Sequence, residues 1–162
     1  MGNRIVMIRG SFNATDALCV VASLTGEVDA KVEKEVIYPY YCFDAHCSAP
    51  AAAGRKELSV LCLVDAVNGL GATADSFELK KEPVKASKIM ELAIDDGHAR
   101  QIAQRTVTHR LGKSFRTIAD FDVTLNPRGL VHKRFWVVRT SESRLLVDST
   151  TAGWLPLKLR AA

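Results

Sequence analysis

Apolar and polar positions change their period several times along the chain. Arg4–Arg9 holds the continuous apolar run Ile5-Val6-Met7-Ile8 and predicts a short strand buried on both faces. Gly10-Ser11-Phe12-Asn13 predicts a turn, and Thr15–Leu24 a helix capped by Asn13 or Thr15 and ended by Gly26. Glu27–Lys34 fits two periods: Val28, Ala30 and Val32 alternate, while Val28, Val32 and Val36 recur at helical spacing. Its β-branched content favours a strand.

The clearest strand pair is Val36–Cys47 with Glu57–Asp65, joined by a linker at 48–55 that lacks hydrophobic periodicity. Asn68-Gly69 marks a tight reversal, and Leu70–Leu79 is expected to return as a third strand. Pro39 places its strand at a sheet edge or kinks it, because proline cannot donate to a ladder. Pro83 is expected to stop the third strand and open a helical region, Ala86–Gly112, divided near Asp95-Asp96-Gly97. In its second part Ala99, Ile102, Ala103, Val107 and Leu111 form one apolar stripe. Alternation resumes at Phe121–Leu125, followed by a predicted turn at Asn126-Pro127-Arg128-Gly129. Val131–Arg139 and Arg144–Asp148 then read as paired strands, and Trp154–Arg160 alternates once more.

These elements predict one α+β domain over residues 1–162. Its antiparallel sheet would come from two hairpin regions, about 36–79 and 121–159. A helical segment at about 86–112 would pack on one face. Leu63-Val64-Asp65-Ala66-Val67-Asn68-Gly69 resembles Leu146-Val147-Asp148-Ser149-Thr150-Thr151-Ala152-Gly153. The likeness fits a degenerate repeat of hairpin, helix, hairpin, or the turn chemistry that strand-Asp-turn-Gly hairpins share.

Composition narrows the class. A chain of 162 residues buries enough surface to need no disulfide or metal for its core. No apolar run approaches the ~20 residues of a membrane span, and the N-terminal segment does not read as a signal peptide. The expected compartment is the cytoplasm, with Cys19, Cys42, Cys47 and Cys62 as reduced thiols. Charge is uneven. Residues 82–162 carry 14 Lys/Arg against 8 Asp/Glu, and the stretch 98–144 carries 10 against 3. That excess points to an anionic partner.

Cys42, His46, Cys47 and Cys62 have zinc-ligand chemistry without the Cys-x2-Cys spacing of a zinc knuckle. Strand alternation argues against them as a metal site. Tyr41, Phe43, Ala45 and Cys47 share a face with Leu58, Val60 and Cys62, whereas Cys42 and His46 point the other way. No metal and no cofactor is therefore expected. The far face, Tyr38, Tyr40, Asp44 and His46 with Glu57, Ser59 and Asp65, offers aromatics beside acids and an imidazole, so it is the candidate ligand-binding face.

The candidate anion-binding residues are His98, Arg105, His109, Lys113 and Arg116. The first three lie close to one line along a helix. Trp154, Leu155, Leu157 and Leu159 end the chain with high apolar density, which suits either core or a strand that pairs with a protein partner or second copy. No catalytic motif is present. The expected function is a non-catalytic binding or accessory domain that docks a protein or anionic partner through its basic second half. The alternatives are a small enzyme or ligand-binding module around Tyr40, Asp44 and His46, and a nucleic-acid-binding protein.

Overall fold

A computed structural model describes residues 2–51, 54–115 and 122–157. The chain is mixed α+β. Its elements are β1 (Asn3–Ile8), α1 (Ala14–Thr25), β2 (Lys31–Ala51), β3 (Gly54–Asp65), β4 (Gly71–Ala74), β5 (Leu79–Val84), a 3-10 turn (Ala86–Lys88), α2 (Asp96–Phe115), β6 (Asp122–Arg139), β7 (Arg144–Asp148) and β8 (Trp154–Leu157). The eight strands make a mostly antiparallel sheet of order β4-β3-β2-β6-β1-β5, with β7 and β8 continuing from β6. β1 and β6 meet in parallel at Met7 and His132, and an isolated parallel bridge joins Ile37 to Ile89. Among the described residues no helix is long and apolar enough to cross a membrane.

The chain divides into two compact units. Unit 1 takes residues up to Tyr38, then Glu78–Met90 and the segment from His132 onward; unit 2 takes Pro39–Phe77 and Glu91–Val131. In unit 2, α2 lays Ala99, Ile102, Ala103, Val107 and Leu111 on Tyr41, Phe43, Ala45, Cys47, Cys62 and Val64. This is the predicted stripe on the predicted strand face, and the register Phe43–Cys62, Ala45–Val60, Cys47–Leu58 carries it. Packing there is close: a Cβ on Gly71 would stand 2.2 Å from Thr106 Oγ1, so a larger residue there would displace the Thr106 side chain. In unit 1, α1 packs Ala17 and Val21 on Val138, Leu145 and Val147, while Met7, Ile37 and Val84 form a second cluster.

The element order β-α-β-β-β occurs twice, first as β1 to β4 and again as β5 to β8. Matching positions do matching work. Asn13 and Asp95 each accept from a backbone N–H three residues on, Asp16 and His98. Ala17 and Ala99 are both fully buried. The similar stretches noticed in the sequence form the same four-residue turn. Asp65 Oδ1 accepts from Val67 N–H and Asp148 Oδ1 from Thr150 N–H, both at 2.8 Å. Gly69 and Ala152, each four residues past the aspartate, both lie in the left-handed region (φ 73° and 59°). Each turn also meets the loop before a helix. The Ala66 carbonyl accepts from Ala93 and Ile94, and that of Ser149 from Phe12.

Several expectations are corrected. Residues 89–95 are not helical, because their amides bond elsewhere: Met90 N–H to the strand carbonyl of Ile37, and Ala93 N–H to the turn carbonyl of Ala66. Gly112 lies inside α2 rather than ending it. The predicted turn at 126–129 is continuous strand, with Gly129 absorbing the irregularity at φ 83°. Pro39 sits in an internal strand. Its carbonyl still accepts from Ala66 beside the turn, so the strand loses one donor and keeps its place. Residues 27–30 are loop, and the strand begins at Lys31. Pro83 lies within a strand that the sequence does not announce, β5, paired with β1. The bond from Arg9 N–H to Glu78 O fixes the ladder so that the Pro83 position faces away from β1. The bond from Asp148 N–H to Gly153 O does the same for Pro156, turning it away from β7. Both prolines remove a donor from an outward side of their strand.

Candidate functional site

The far face of the β2–β3 hairpin brings some of its predicted residues together. Asp44 and His46 line one open groove of about 510 Å³ with Ser59, Asp75 and Asn126. His46 Nδ1 lies 3.1 Å from Ser59 Oγ, and its Nε2 3.8 Å from Glu57 Oε1. Strand register explains the pairing, since His46 is directly opposite Ser59. Asp44 is held by Arg128 Nε at 2.5 Å. Tyr40 stands opposite Asp65 and does not line the groove. Tyr38 belongs to unit 1, where it meets Phe135 edge-on with ring centroids 4.9 Å apart. Asp75 and Asn126 come from segments remote in sequence, which periodicity along one strand does not connect.

The three buried thiols are not activated. Cys47 and Cys62 sit in the core of unit 2 and Cys42 is 2% exposed. Burial raises all three, and Cys62 is pushed up to about 11. A thiol at that value is protonated at neutral pH and is a poor nucleophile. Among the described residues no group of three or more His, Cys, Asp or Glu side chains is arranged to hold a metal.

The basic second half separates into two kinds of cation. Lys133, Arg134 and Arg144 on the strands are neutralised. In unit 1, Lys133 pairs with Asp148 at 2.6 Å, Arg134 with Glu35 at 2.7 Å and also with Glu82, and Arg144 with Glu33 at 2.9 Å. Burial raises the Glu35, Glu82 and Asp148 carboxyls, but these contacts, with Lys88 on Glu35, Lys80 on Glu82 and Thr150 on Asp148, hold them below their ordinary values. The α2 cations are different. Arg105, Arg110 and Lys113 are exposed, as are His98 and His109, and none of the ion pairs found includes them. From Gly97 to Lys113 the helix carries no carboxylate at all. Arg116 lies outside the described residues.

The matching helix sharpens this. α1 buries equivalent positions, yet its exposed residues include Thr15, Cys19, Ser23 and Leu24, with no Lys, Arg or His anywhere along it. A scaffold need common to both helices would favour similar outer faces. The helix dipole favours Lys113 in the last turn but gives no reason for Arg105 in the middle.

At the end of the described chain, β8 pairs with β7, and Trp154 and Leu155 are 46% and 63% exposed. Leu159 lies outside the described residues. No protein-family model, no curated protein and no solved structure matches this chain.

Proposed function

We propose that this chain is a non-catalytic binding module that docks an acidic protein surface along the exposed face of α2. The observation that carries the reading is the run of cations and imidazoles from His98 to Lys113 without an intervening carboxylate or an ion-pair partner. Solvated helices commonly mix both signs at i, i+4 spacing, which stabilises them. Here that stabilisation is forgone, and a complementary negative surface would supply it on association. An acidic protein is favoured over single-stranded nucleic acid because the described outer face of α2 offers no aromatic for base stacking.

The test is fluorescence anisotropy with labelled polyglutamate, single-stranded RNA and duplex DNA at ~0.1 M salt, where exposed charges still act over about 10 Å. Salt-sensitive binding of polyglutamate, lost in the triple variant Arg105→Gln/Arg110→Gln/Lys113→Gln, supports the reading. Preference for a nucleic acid redirects it to that class, and no binding by any probe removes it.

A second reading rests on the groove around Asp44, His46, Ser59, Asp75 and Asn126, which converges polar groups on a volume suited to a small ligand. It predicts ligand-dependent protection of His46 that the α2 variant leaves intact.

A further inference from the structure

We infer that unit 2 contains a binding site for a zwitterionic α-amino acid with a compact apolar side chain. The site is a cavity of about 220 Å³ between the start of α2 and the sheet, lined by Tyr41, Cys42, Phe43, Asp96, Arg100, Pro127 and Gly129. It borders the outer face of α2 at Arg100 and shares no lining residue with the polar groove.

Three observations point to this ligand. First, the cavity holds one cation and one anion that do not satisfy each other. Asp96 and Arg100 stand at i, i+4 on α2, a spacing that normally forms an ion pair, yet none joins them within 4.0 Å. The Arg100 guanidinium lies 5.9 Å above the Phe43 ring and spends one N–H on Leu125 O at 3.3 Å. Its remaining donors suit a carboxylate. Asp96 is near enough to Tyr41 to raise its phenol further, beyond the larger effect of burial, and it supplies the acceptor for an ammonium group.

Second, much of the remaining lining is apolar: Tyr41, Phe43 and Pro127. Tyr41 directs its hydroxyl to Ile94 O, so its ring remains as a hydrophobic surface. A cavity of about 220 Å³ fits a small amino acid rather than a nucleotide.

Third, the equivalent place in unit 1 is built without charge. Arg100 corresponds to Leu18 and Asp96 to Ala14, by the same spacing that matches Asp95 to Asn13 and Ala99 to Ala17. Leu18 packs against the core of unit 1. The fold therefore accommodates a leucine at this point of the helix, and the charged pair in unit 2 is not required by the scaffold.

The experiment is a two-dimensional NMR titration of the full chain with L-leucine up to about 10 mM, well above a millimolar dissociation constant. Saturable shifts are expected at Tyr41, Phe43, Arg100 and Gly129. The deaminated acid 4-methylpentanoate and the decarboxylated amine 3-methylbutylamine should each bind about tenfold more weakly, since each loses one charged partner. Arg100→Leu, which copies unit 1, should keep the folded spectrum and abolish leucine binding. Asp96→Asn should weaken leucine binding while leaving that of 4-methylpentanoate unchanged, and it decides the matter if Arg100→Leu does not fold. Absence of saturation overturns the inference. So does equal affinity for leucine and both analogues, or undiminished leucine binding by either variant.

Discussion

Tyr41 and Trp136 make the same hydrogen bond in different units. Tyr41 Oη donates to Ile94 O at 2.8 Å, and Trp136 Nε1 donates to Phe12 O at 3.1 Å. Each acceptor is the carbonyl one residue before a helix N-cap position, Asp95 or Asn13. An aromatic ring packs on the sheet in each case while its polar tip anchors the loop that launches the helix. Tyr41→Phe removes only that tip. It should lower stability by about 1 kcal/mol, the usual net worth of such a bond. Urea unfolding is the measurement, and no loss would show that water replaces the hydroxyl without cost.

The two turns give a paired prediction. Ala152 holds φ 59°, where an L residue is strained by roughly 1–2 kcal/mol, while its counterpart Gly69 holds φ 73° without that penalty. Ala152→Gly should therefore raise stability, and Gly69→Ala should lower it, each by about 1 kcal/mol. Opposite signs in thermal unfolding are the expected outcome. Equal signs would mean that the turns are not equivalent.

His132 predicts a pH dependence. It is 8% exposed and burial lowers its pKa below 6.5, against the opposing effect of its bond to Val6 O at 3.1 Å. A carbonyl can only accept, so Nδ1 carries the proton in the neutral ring. Because the folded value is depressed, the unfolded chain binds the proton first as pH falls. Stability contributed by the neutral ring is present above pH 6.5 and is lost as pH drops from there through the folded value. The urea midpoint should fall between pH 7.5 and about 5.5, and the slope should flatten in His132→Gln. A midpoint constant over that range would contradict it. The lowered Asp148 and Glu35 carboxyls act separately, losing their contribution only under more acid conditions.

Thiol chemistry separates one cysteine from three. Cys19 is exposed, whereas Cys42, Cys47 and Cys62 are buried. An aromatic disulfide reagent at neutral pH should modify Cys19 rapidly and the others only on unfolding. Rapid reaction at a second site in the native chain would mean that the β2–β3 hairpin opens.

The reading of the sequence succeeded where one residue type serves one local rule. Alternation along 41–47 and 58–64 identifies the core face because Tyr41, Phe43, Ala45 and Cys47, with Leu58, Val60, Cys62 and Val64, meet a single layer, α2. Asn13 and Gly26 bound α1 through capping chemistry that is local in sequence. Failure came where distant partners decide. Residues 89–95 have helical composition, but the carbonyls of Ile37 and Ala66 claim their amides. Pro83 and Pro127 read as breaks, yet one faces outward in its ladder and the other has Gly129 to absorb the distortion. The candidate surfaces follow the same division. The α2 face is visible as a helical pattern, whereas the joining of Asp96 and Arg100 with Pro127 and Gly129 requires the tertiary fold.

The two β-α-β-β-β copies have a consequence for how the chain holds together. Each helix packs on strands of the other copy: α1 on β7 and the later part of β6, and α2 on β3 and the later part of β2. Neither copy contains a finished core of its own. The molecule is in effect a dimer sewn into one polypeptide, and the stitch is the short segment Asp75–Glu78 between β4 and β5. Cutting that stitch should yield fragments that remain associated through both cores, and neither fragment made alone should fold.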